Sequence, residues 1–183
     1  MYKIEPLLPS DAFSLDTINL DYSTESYALS YYLYYMINHT EDCMAVVSSK
    51  ERKHSFYCLR EVYGILMGRL EEKEGGVVCA HISVLSVQFG KRRNRFARLC
   101  MDILENNANI YKAYFMDLYV RCTNTYAIDF YKRLGYTVYR RIFDYYYDKN
   151  GYEDALDMRK SLKLDPEKKF MQEGTDLHAS KLN

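Results

Sequence analysis

Residues 77–104 read VVCAHISVLSVQFGKRRNRFARLCMDIL, and this stretch decides the fold. Its first part, residues 77–87, is rich in β-branched side chains and predicts a long strand. A basic loop follows at residues 91–95. Apolar side chains then recur at helical spacing, at Phe96, Leu99, Cys100, Ile103 and Leu104. A loop that enters a helix N-terminus presents backbone N–H groups to an anion, so a phosphate site is expected here.

Strands and helices alternate on both sides of this stretch. Further strands are predicted at residues 2–7, 44–47, 62–70, 114–120, 136–146 and, shorter, 155–160. Helices are predicted at residues 12–20, 30–38 and 124–134, the first capped by Ser10 or Asp11 and the last ended by Gly135. This order predicts an α/β fold with a central mixed sheet flanked by helices. Residues 163–183 are polar and charged and predict a flexible tail after a domain of residues 1–162.

Composition narrows the class of protein. A chain of 183 residues with 48% hydrophobic residues can build one sizeable core, and its net charge of zero argues against direct nucleic-acid binding. There is no apolar run of membrane-spanning length and no apolar leader at the start, so a cytoplasmic protein without a membrane partner is expected. The five cysteines show no metal-ligand spacing, and Cys79, Cys100 and Cys122 are interpreted as core residues.

Two parts of this pattern resemble the GNAT acetyltransferase family. Residues 84–87 with 92–97 are similar to that family's fourth strand and acetyl-CoA loop, which reads R/Q-x-x-G-x-G/A. Residues 124–136 carry its N-x-x-A and Y-x-x-L-G-[FY] spacings. Within the family, residues 18–27 and 136–160 resemble the catalytic subunits of the N-terminal acetyltransferase B (NatB) complex. The resemblance covers residues 1–169.

The resemblance implies acetyl-CoA as the cosubstrate and no metal. The residues implied to bind it are Leu85, Ser86, Val87, Arg92, Arg93, Asn94, Arg95, Phe96, Ala97, Asn124 and Tyr131. Arg95 stands where the family usually has glycine, which tolerates unusual dihedrals. Its backbone N–H can still serve as a donor while its side chain points to solvent. A solvated basic loop is the alternative interpretation of these arginines.

The resemblance also implies how the reaction proceeds. A backbone N–H near Leu85–Val87 stabilises the tetrahedral oxyanion, and Tyr131 assists the leaving thiolate. An α-amine has a pKa of about 8, so water relayed from His81 or Glu25 is a sufficient base. A core tyrosine, a core histidine and a structural carboxylate are the respective alternatives for these three side chains.

For the peptide substrate, the resemblance implies a set of contacts, made by Glu25, Tyr27, His81, Ser83, Tyr119, Tyr145 and Tyr146. The hydroxyls of Tyr145 and Tyr146 hold the peptide backbone, and Tyr27 and Tyr119 wall a pocket for a first methionine. His81 and Ser83 donate to an acidic or amide side chain at position 2. The implied substrates are proteins that begin Met-Asp, Met-Glu, Met-Asn or Met-Gln. The family more often has Thr at Ser83 and Phe at Tyr119.

The resemblance further implies a large helical-repeat auxiliary subunit, contact with the ribosome through that complex, and nascent protein N-termini as substrates. The first two helices would carry the subunit contact, with Phe13, Leu15, Ile18, Tyr31, Tyr34 and Tyr35 divided by face between interface and core. Two alternatives stay open. One is another acetyltransferase, for small first residues or small amines. The other is a degenerate acetyl-CoA-binding interaction module, which Arg95 supports.

Overall fold

The computed structural model describes residues 1–18, 25–49 and 60–182, and of residues 16 and 17 the backbone alone. The strands of these residues are β1 (Tyr2–Pro6), β2 (Cys43–Ser48), β3 (Val62–Lys73), β4 (Val77–Val87), β5 (Phe115–Arg121), β6 (Thr137–Asp148), β7 (Gly151–Ser161) and β8 (Leu177–His178). The helices are α1 (Leu15–Ile18), α2 (Leu29–Asn38), α3 (Phe96–Ile110) and α4 (Thr125–Arg133). The strands form one sheet in the order β1-β2-β3-β4-β5-β7-β6-β8. The predicted α/β fold is confirmed.

The chain packs as two compact units. Unit 1 comprises residues 1–69 and 82–107, and unit 2 comprises residues 70–81 and 108–183. Strands β3 and β4 and helix α3 each contribute residues to both units. The segments 19–24 and 50–59 lie outside the described residues, and with them the end of the first predicted helix and Cys58.

Unit 1 is built on an antiparallel arrangement of β1, β2 and β3. Alternate residues of β2 share one face with their partners on β3, in the pairs Cys43–Met67, Ala45–Ile65 and Val47–Val62. Helix α2 covers these residues with Tyr32, Tyr35 and Met36, which lie at the three- and four-residue spacing of one helix face. Val84 of β4 joins the same core.

The N-terminal segment differs from the predicted helix over residues 12–20. A 3₁₀ turn spans Pro9–Ser14, and α1 begins only at Leu15. Asp11 is buried, and its carboxylate accepts from the Leu8 backbone N–H at 2.8 Å and from the Arg60 guanidinium. Because Arg60 lies 49 residues along the chain, this pair is invisible to local sequence patterns.

Unit 2 holds β5, β7, β6 and β8 with helix α4. Strand β7 pairs antiparallel with β5 and with β6, and the β6–β7 hairpin closes at the pair Asp148–Gly151. Strand β7 therefore starts at Gly151, four residues before the predicted start at 155. Helix α4 begins at an Asn124 cap and is followed by Gly135, whose φ of 92° is the left-handed value expected after a helix end.

The C-terminal residues 164–182 pack onto unit 2, whereas the composition predicted a flexible tail. β8 runs parallel to β6, in the pairs Ile142–Leu177 and Phe143–His178. The Phe170 ring stacks on Phe115 at 5.4 Å. Asp165 is buried, and its carboxylate accepts the backbone N–H of Lys169 at 2.8 Å. Apolar anchors spaced along a polar segment explain the packing, because few such residues suffice when sheet hydrogen bonds add to them.

Membrane-spanning helices and metal-ligand clusters are both absent from the part of the chain that the structure describes. No helix there is both long and apolar enough to cross a membrane. No group of three or more His, Cys, Asp and Glu side chains there could hold a metal ion.

Candidate active site

The loop between β4 and α3 has the backbone of an anion site. Arg93 and Arg95 both lie in the left-handed region, with φ of 64° and 63°. Left-handed residues in a turn point neighbouring N–H groups into one concavity, which suits phosphate oxygens. All of residues 92–95 are exposed, so their guanidinium groups can add charge-assisted contacts. Arg95 thus adopts a left-handed conformation that glycine adopts without steric cost.

Local contacts hold this loop in place. The Asn94 side-chain amide donates to the backbone carbonyls of Lys91 and Arg92, at 2.9 and 3.3 Å. Phe96, the first residue of α3, is buried and packs edge-on against Tyr2 with ring centroids 4.8 Å apart. The Arg95 carbonyl accepts the Leu99 N–H at 3.0 Å, which makes it the first acceptor of the helix. Ala97 follows half-buried. The helix N-terminus is therefore fixed behind the loop.

The C-terminal end of β4 precedes this loop. Ser86 is buried, and its hydroxyl donates to the Ile18 carbonyl at 3.3 Å. The Val87 carbonyl accepts from Arg92 Nε at 3.2 Å. A Cβ at Gly64 of β3 would lie 2.9 Å from the Ser86 carbonyl oxygen, so the two strands approach closely here. Leu85 is half-buried. These contacts hold the end of β4 in place before the loop.

In unit 2, His81 pairs with a carboxylate that the sequence analysis did not single out. His81 Nδ1 lies 2.8 Å from Asp117 Oδ1, and both side chains are largely buried, with 12% and 2% exposed. A carboxylate accepts only, so Nδ1 carries the proton and the Nε2 of a neutral His81 is left as an acceptor. This geometry suits a base. Donation from His81 to an acidic side chain would require its protonated form. The sequence feature that could have indicated Asp117 as a site residue is its position as a lone carboxylate inside an apolar strand.

Asp117 belongs to a buried ionic group on one sheet face. Asp157 is fully buried beside Arg140 and Arg159, at 3.0 and 3.4 Å. Burial raises the pKa of Asp157, and the two guanidinium groups oppose that shift. Arg159 also lies over the Tyr139 ring, 3.4 Å from its centroid. A paired and packed ionic group of this kind restrains its members, which suits a scaffold for His81.

In unit 1, Ser83 contacts Tyr35, and Tyr35 in turn contacts Arg69; neither was assigned to the site from the sequence. Ser83 Oγ lies 2.6 Å from Tyr35 Oη, and Arg69 donates to the same tyrosine oxygen. Tyr35 is fully buried, and burial raises the pKa of its phenol. Tyr35 was predicted to lie in an interface or in the core. The structure places it in the core, with its hydroxyl against Ser83.

Tyr131 and Asn124 lie on the same helical segment of unit 2. Tyr131 is buried, and burial raises the pKa of its phenol above the ordinary value, so the hydroxyl keeps its proton at neutral pH. Asn124 Oδ1 accepts the Ala127 N–H at 3.2 Å and so caps α4. This contact supports the start of α4, and the cosubstrate contact predicted for Asn124 stays a prediction.

Three of the predicted substrate tyrosines meet in unit 2. Tyr119 and Tyr145 have ring centroids 5.0 Å apart. Tyr146 is buried, and its hydroxyl donates to the Tyr119 carbonyl at 3.1 Å. Arg121 lies over the Tyr146 ring at 4.5 Å. Tyr145 is half-buried, so its side chain is more exposed to a ligand than the buried side chain of Tyr146.

The other predicted peptide contacts lie just before α2 in unit 1. Glu25 is half-buried in an extended segment. Tyr27 stacks on Tyr31 with centroids 4.4 Å apart, and its backbone N–H donates to Tyr32 Oη at 3.2 Å. The structure thus gives Tyr27 a defined aromatic setting, and the roles predicted for both residues stay predictions.

The described cysteines fit a structural role. Burial raises the pKa of Cys43, Cys79 and Cys100 to about 12 each. Cys122 is only half-buried, and burial raises its pKa as well. Thiols with raised pKa values are poor nucleophiles at neutral pH. These side chains are therefore unsuited to covalent catalysis.

Comparison with known proteins decides the family. No protein-family model matches the chain. The catalytic subunit naa20 of the N-terminal acetyltransferase B complex of Schizosaccharomyces pombe is 38% identical over 165 residues, which cover 90% of this chain and 87% of that protein. The chain belongs to the family of NatB catalytic subunits. It is therefore an N-terminal acetyltransferase with the GNAT fold.

Two solved structures of the NatB family extend this likeness. Chaetomium thermophilum Naa20, in complex with a bisubstrate analogue, is 33% identical, has a TM-score of 0.84 and covers 97% of both chains. A NatB acetyltransferase complex bound to CoA and MES contains a chain that is 31% identical with a TM-score of 0.74, over 87% of this chain and 99% of that one. The likeness to the NatB family thus spans both units.

Proposed function

We propose that this protein transfers the acetyl group of acetyl-CoA to the α-amine of proteins that begin Met-Asp, Met-Glu, Met-Asn or Met-Gln. The observation that carries this is the likeness to a NatB catalytic subunit solved with a bisubstrate analogue, over 97% of the chain. Acetyl-CoA is the cosubstrate. The loop of residues 92–97, the end of β4 and His81 are assigned to positioning acetyl-CoA and the amine.

Acetyl-CoA binding is assigned to the loop of residues 92–97. Its left-handed backbone at Arg93 and Arg95 points N–H groups into one concavity, and the α3 N-terminus adds its dipole. The exposed arginines add charge. Residues Leu85–Val87 supply backbone groups to the thioester end, and Asn124 holds the start of α4.

In the reaction, the α-amine nitrogen forms a bond to the acetyl carbon and a tetrahedral oxyanion results. A backbone N–H of residues 85–87 stabilises that oxyanion. The carbon–sulfur bond then breaks and the thiolate leaves. The amine proton passes through water to the Nε2 of His81, which Asp117 orients at 2.8 Å, or to Glu25.

Tyr131 stabilises the leaving thiolate. Because burial raises its pKa, the phenol is a weaker acid than a thiol of pKa about 8.5. Full proton transfer to the thiolate is therefore unfavourable. Tyr131 instead donates a hydrogen bond to the sulfur as negative charge develops there, and solvent completes the protonation.

The peptide contacts are assigned to the side chains that the resemblance implies. Tyr27 and Tyr119 wall the pocket for the first methionine, and Tyr145 and Tyr146 support the peptide backbone. Ser83 donates to the side chain at position 2. In neutral His81 the Nε2 is an acceptor, so the base role suits it better than donation to a carboxylate.

The protein acts in the cytoplasm with a large helical-repeat auxiliary subunit and reaches nascent N-termini at the ribosome through that complex. Apolar side chains on and before α2 support a subunit contact, because Phe13, Leu29, Tyr34 and Ile37 are each more than half exposed, at 78%, 56%, 53% and 67%. Leu15 and Ile18 lie in the core instead. Fewer of the predicted apolar residues are therefore left to form the interface with the auxiliary subunit.

The test is acetylation of peptides beginning Met-Asp, Met-Asn, Ser-Glu and Met-Leu by the chain co-expressed with the auxiliary subunit. Preferred turnover of the first two peptides supports the proposal. Turnover of Ser-Glu or Met-Leu as the preferred substrate would assign another N-terminal specificity. If the enzyme is active, Tyr131→Phe should lower kcat about 100-fold with KM little changed. A Tyr126→Phe variant, at an 89% exposed tyrosine of α4, is the matched control.

A further inference from the structure

Ser83 lies at one end of a chain of polar side chains inside unit 1. Its Oγ is 2.6 Å from Tyr35 Oη, and the Arg69 guanidinium donates to that same phenol oxygen. Tyr35 has no exposed surface (0%), while Arg69 is half-buried on β3. The Tyr35 hydroxyl therefore has its hydrogen bonds fixed by protein groups.

The donor and acceptor roles along this chain follow from chemistry. Arginine carries donors only, so Tyr35 Oη accepts from Arg69. Tyr31 Oη is 3.5 Å away, beyond the usual O–H···O range of about 2.5–3.0 Å. Ser83 Oγ is then the near acceptor for the Tyr35 proton, and accepting from a cation strengthens that donation. The Ser83 proton is left to point at a further acceptor.

We propose that Arg69 and Tyr35 are positioning residues that fix Ser83 as a hydrogen-bond donor to the second residue of the substrate. This inference rests on the proposed function, which assigns Ser83 to that residue. Asp, Glu, Asn and Gln share a side-chain oxygen that accepts. A fixed donor selects this shared oxygen. Leu has nearly the shape of Asn without an acceptor, so it would leave the Ser83 hydroxyl unpaired.

The charge on Arg69 adds a second preference. The Arg69 guanidinium is linked to Ser83 through the Tyr35 hydroxyl. Its positive charge therefore favours a carboxylate at position 2 over an uncharged amide. Tyr35 donates to Ser83 and so keeps the Ser83 hydroxyl as a donor, which acid and amide side chains can both accept from. The two residues therefore have separable effects on specificity.

The experiment measures kcat/KM of the co-expressed complex for peptides that differ only at position 2, as Met-Asp, Met-Asn and Met-Leu. The variants are Tyr35→Phe, Ser83→Ala, their double mutant, Arg69→Met and Arg69→Lys. We expect Tyr35→Phe to lower kcat/KM about tenfold for Met-Asp and Met-Asn, mainly through KM, and to leave Met-Leu unchanged. In the Ser83→Ala background it should have no further effect. Arg69→Met should affect Met-Asp more than Met-Asn, and Arg69→Lys should restore the difference.

Specific results would overturn the inference. These are an equal loss on all three peptides after Tyr35→Phe, or an undiminished loss in the Ser83→Ala background. If Tyr35→Phe does not fold, the same cycle with Arg69→Met and Ser83→Ala decides the matter, and independence of the two changes refutes the relay. Wild-type inactivity on both Met-Asp and Met-Asn would refute the proposed function itself. Thermal unfolding and the Tyr126→Phe control monitor the fold.

Discussion

Replacing Arg95 by glycine should stabilise this protein. Arg95 has a φ of 63°, and its side chain is exposed. The left-handed conformation costs an L-residue roughly 1–2 kcal/mol, which glycine avoids. Glycine also lowers the free energy of unfolding by about 0.5–1 kcal/mol, because the unfolded chain is more flexible at a glycine. The net gain is about 0.5–1 kcal/mol, or roughly 1–4 °C in Tm for a chain of this size.

The assay is thermal and urea unfolding of Arg95→Gly beside two matched variants. Arg98→Gly removes the same charge from an exposed position inside α3, and it should cost about 1 kcal/mol. Arg95→Ala keeps the Cβ and should not stabilise. A Tm for Arg95→Gly as low as that of Arg98→Gly would refute the reasoning. Thermal shift with CoA completes the test: CoA at 100 times the wild-type Kd should stabilise the wild type by about 2.7 kcal/mol, and Arg95→Gly, which keeps the backbone N–H but loses one guanidinium of the loop, should keep part of that gain.

Three further changes test other parts of the structure. Asp117→Asn removes the carboxylate held 2.8 Å from His81, and kcat should fall about 100-fold with CoA binding retained. Gly174→Ala would place a Cβ 2.4 Å from a Tyr139 ring atom, so urea unfolding should show a loss of about 1–3 kcal/mol. Cys100, whose pKa burial raises to about 12, contributes stability that is complete below its unfolded pKa of about 8.5 and falls as pH rises. Cys100→Ala should therefore reduce the stability lost between pH 7.5 and 9.5 by about 1.4 kcal/mol.

Each of these predictions has a result that contradicts it. An Asp117→Asn enzyme that keeps its kcat and only unfolds more easily would make Asp117 a structural residue. For Gly174→Ala, the control is Gly90→Ala, whose Cβ would meet nothing within 4 Å. Equal stability of these two variants would mean that residues 164–182 do not pack as described. An unchanged alkaline profile in Cys100→Ala would mean that this thiol titrates normally in the folded protein.

The sequence by itself determined the elements whose signal is local. Residues 77–104 predicted β4, the basic loop and α3, and helix α4 with its Gly135 end was also predicted within a residue or two. Side-chain periodicity and glycine placement report the backbone directly, since each depends on neighbours only a few residues away. The family resemblance, and not a local pattern, marked Arg95 as standing at a position usually held by glycine, and its left-handed φ agrees with that. Family resemblance added the reaction, which local patterns do not contain.

Only the tertiary structure decided which distant side chains meet. Asp117 lies 36 residues from His81, Tyr35 lies 48 residues from Ser83, and Arg60 lies 49 residues from Asp11. None of these pairs has a periodic signal, because a hydrogen bond between distant residues is set by strand order and register and not by sequence spacing. The polar C-terminal segment shows the same limit. Its composition predicted a flexible tail, while a few apolar contacts and a parallel pairing with β6 hold it against the sheet.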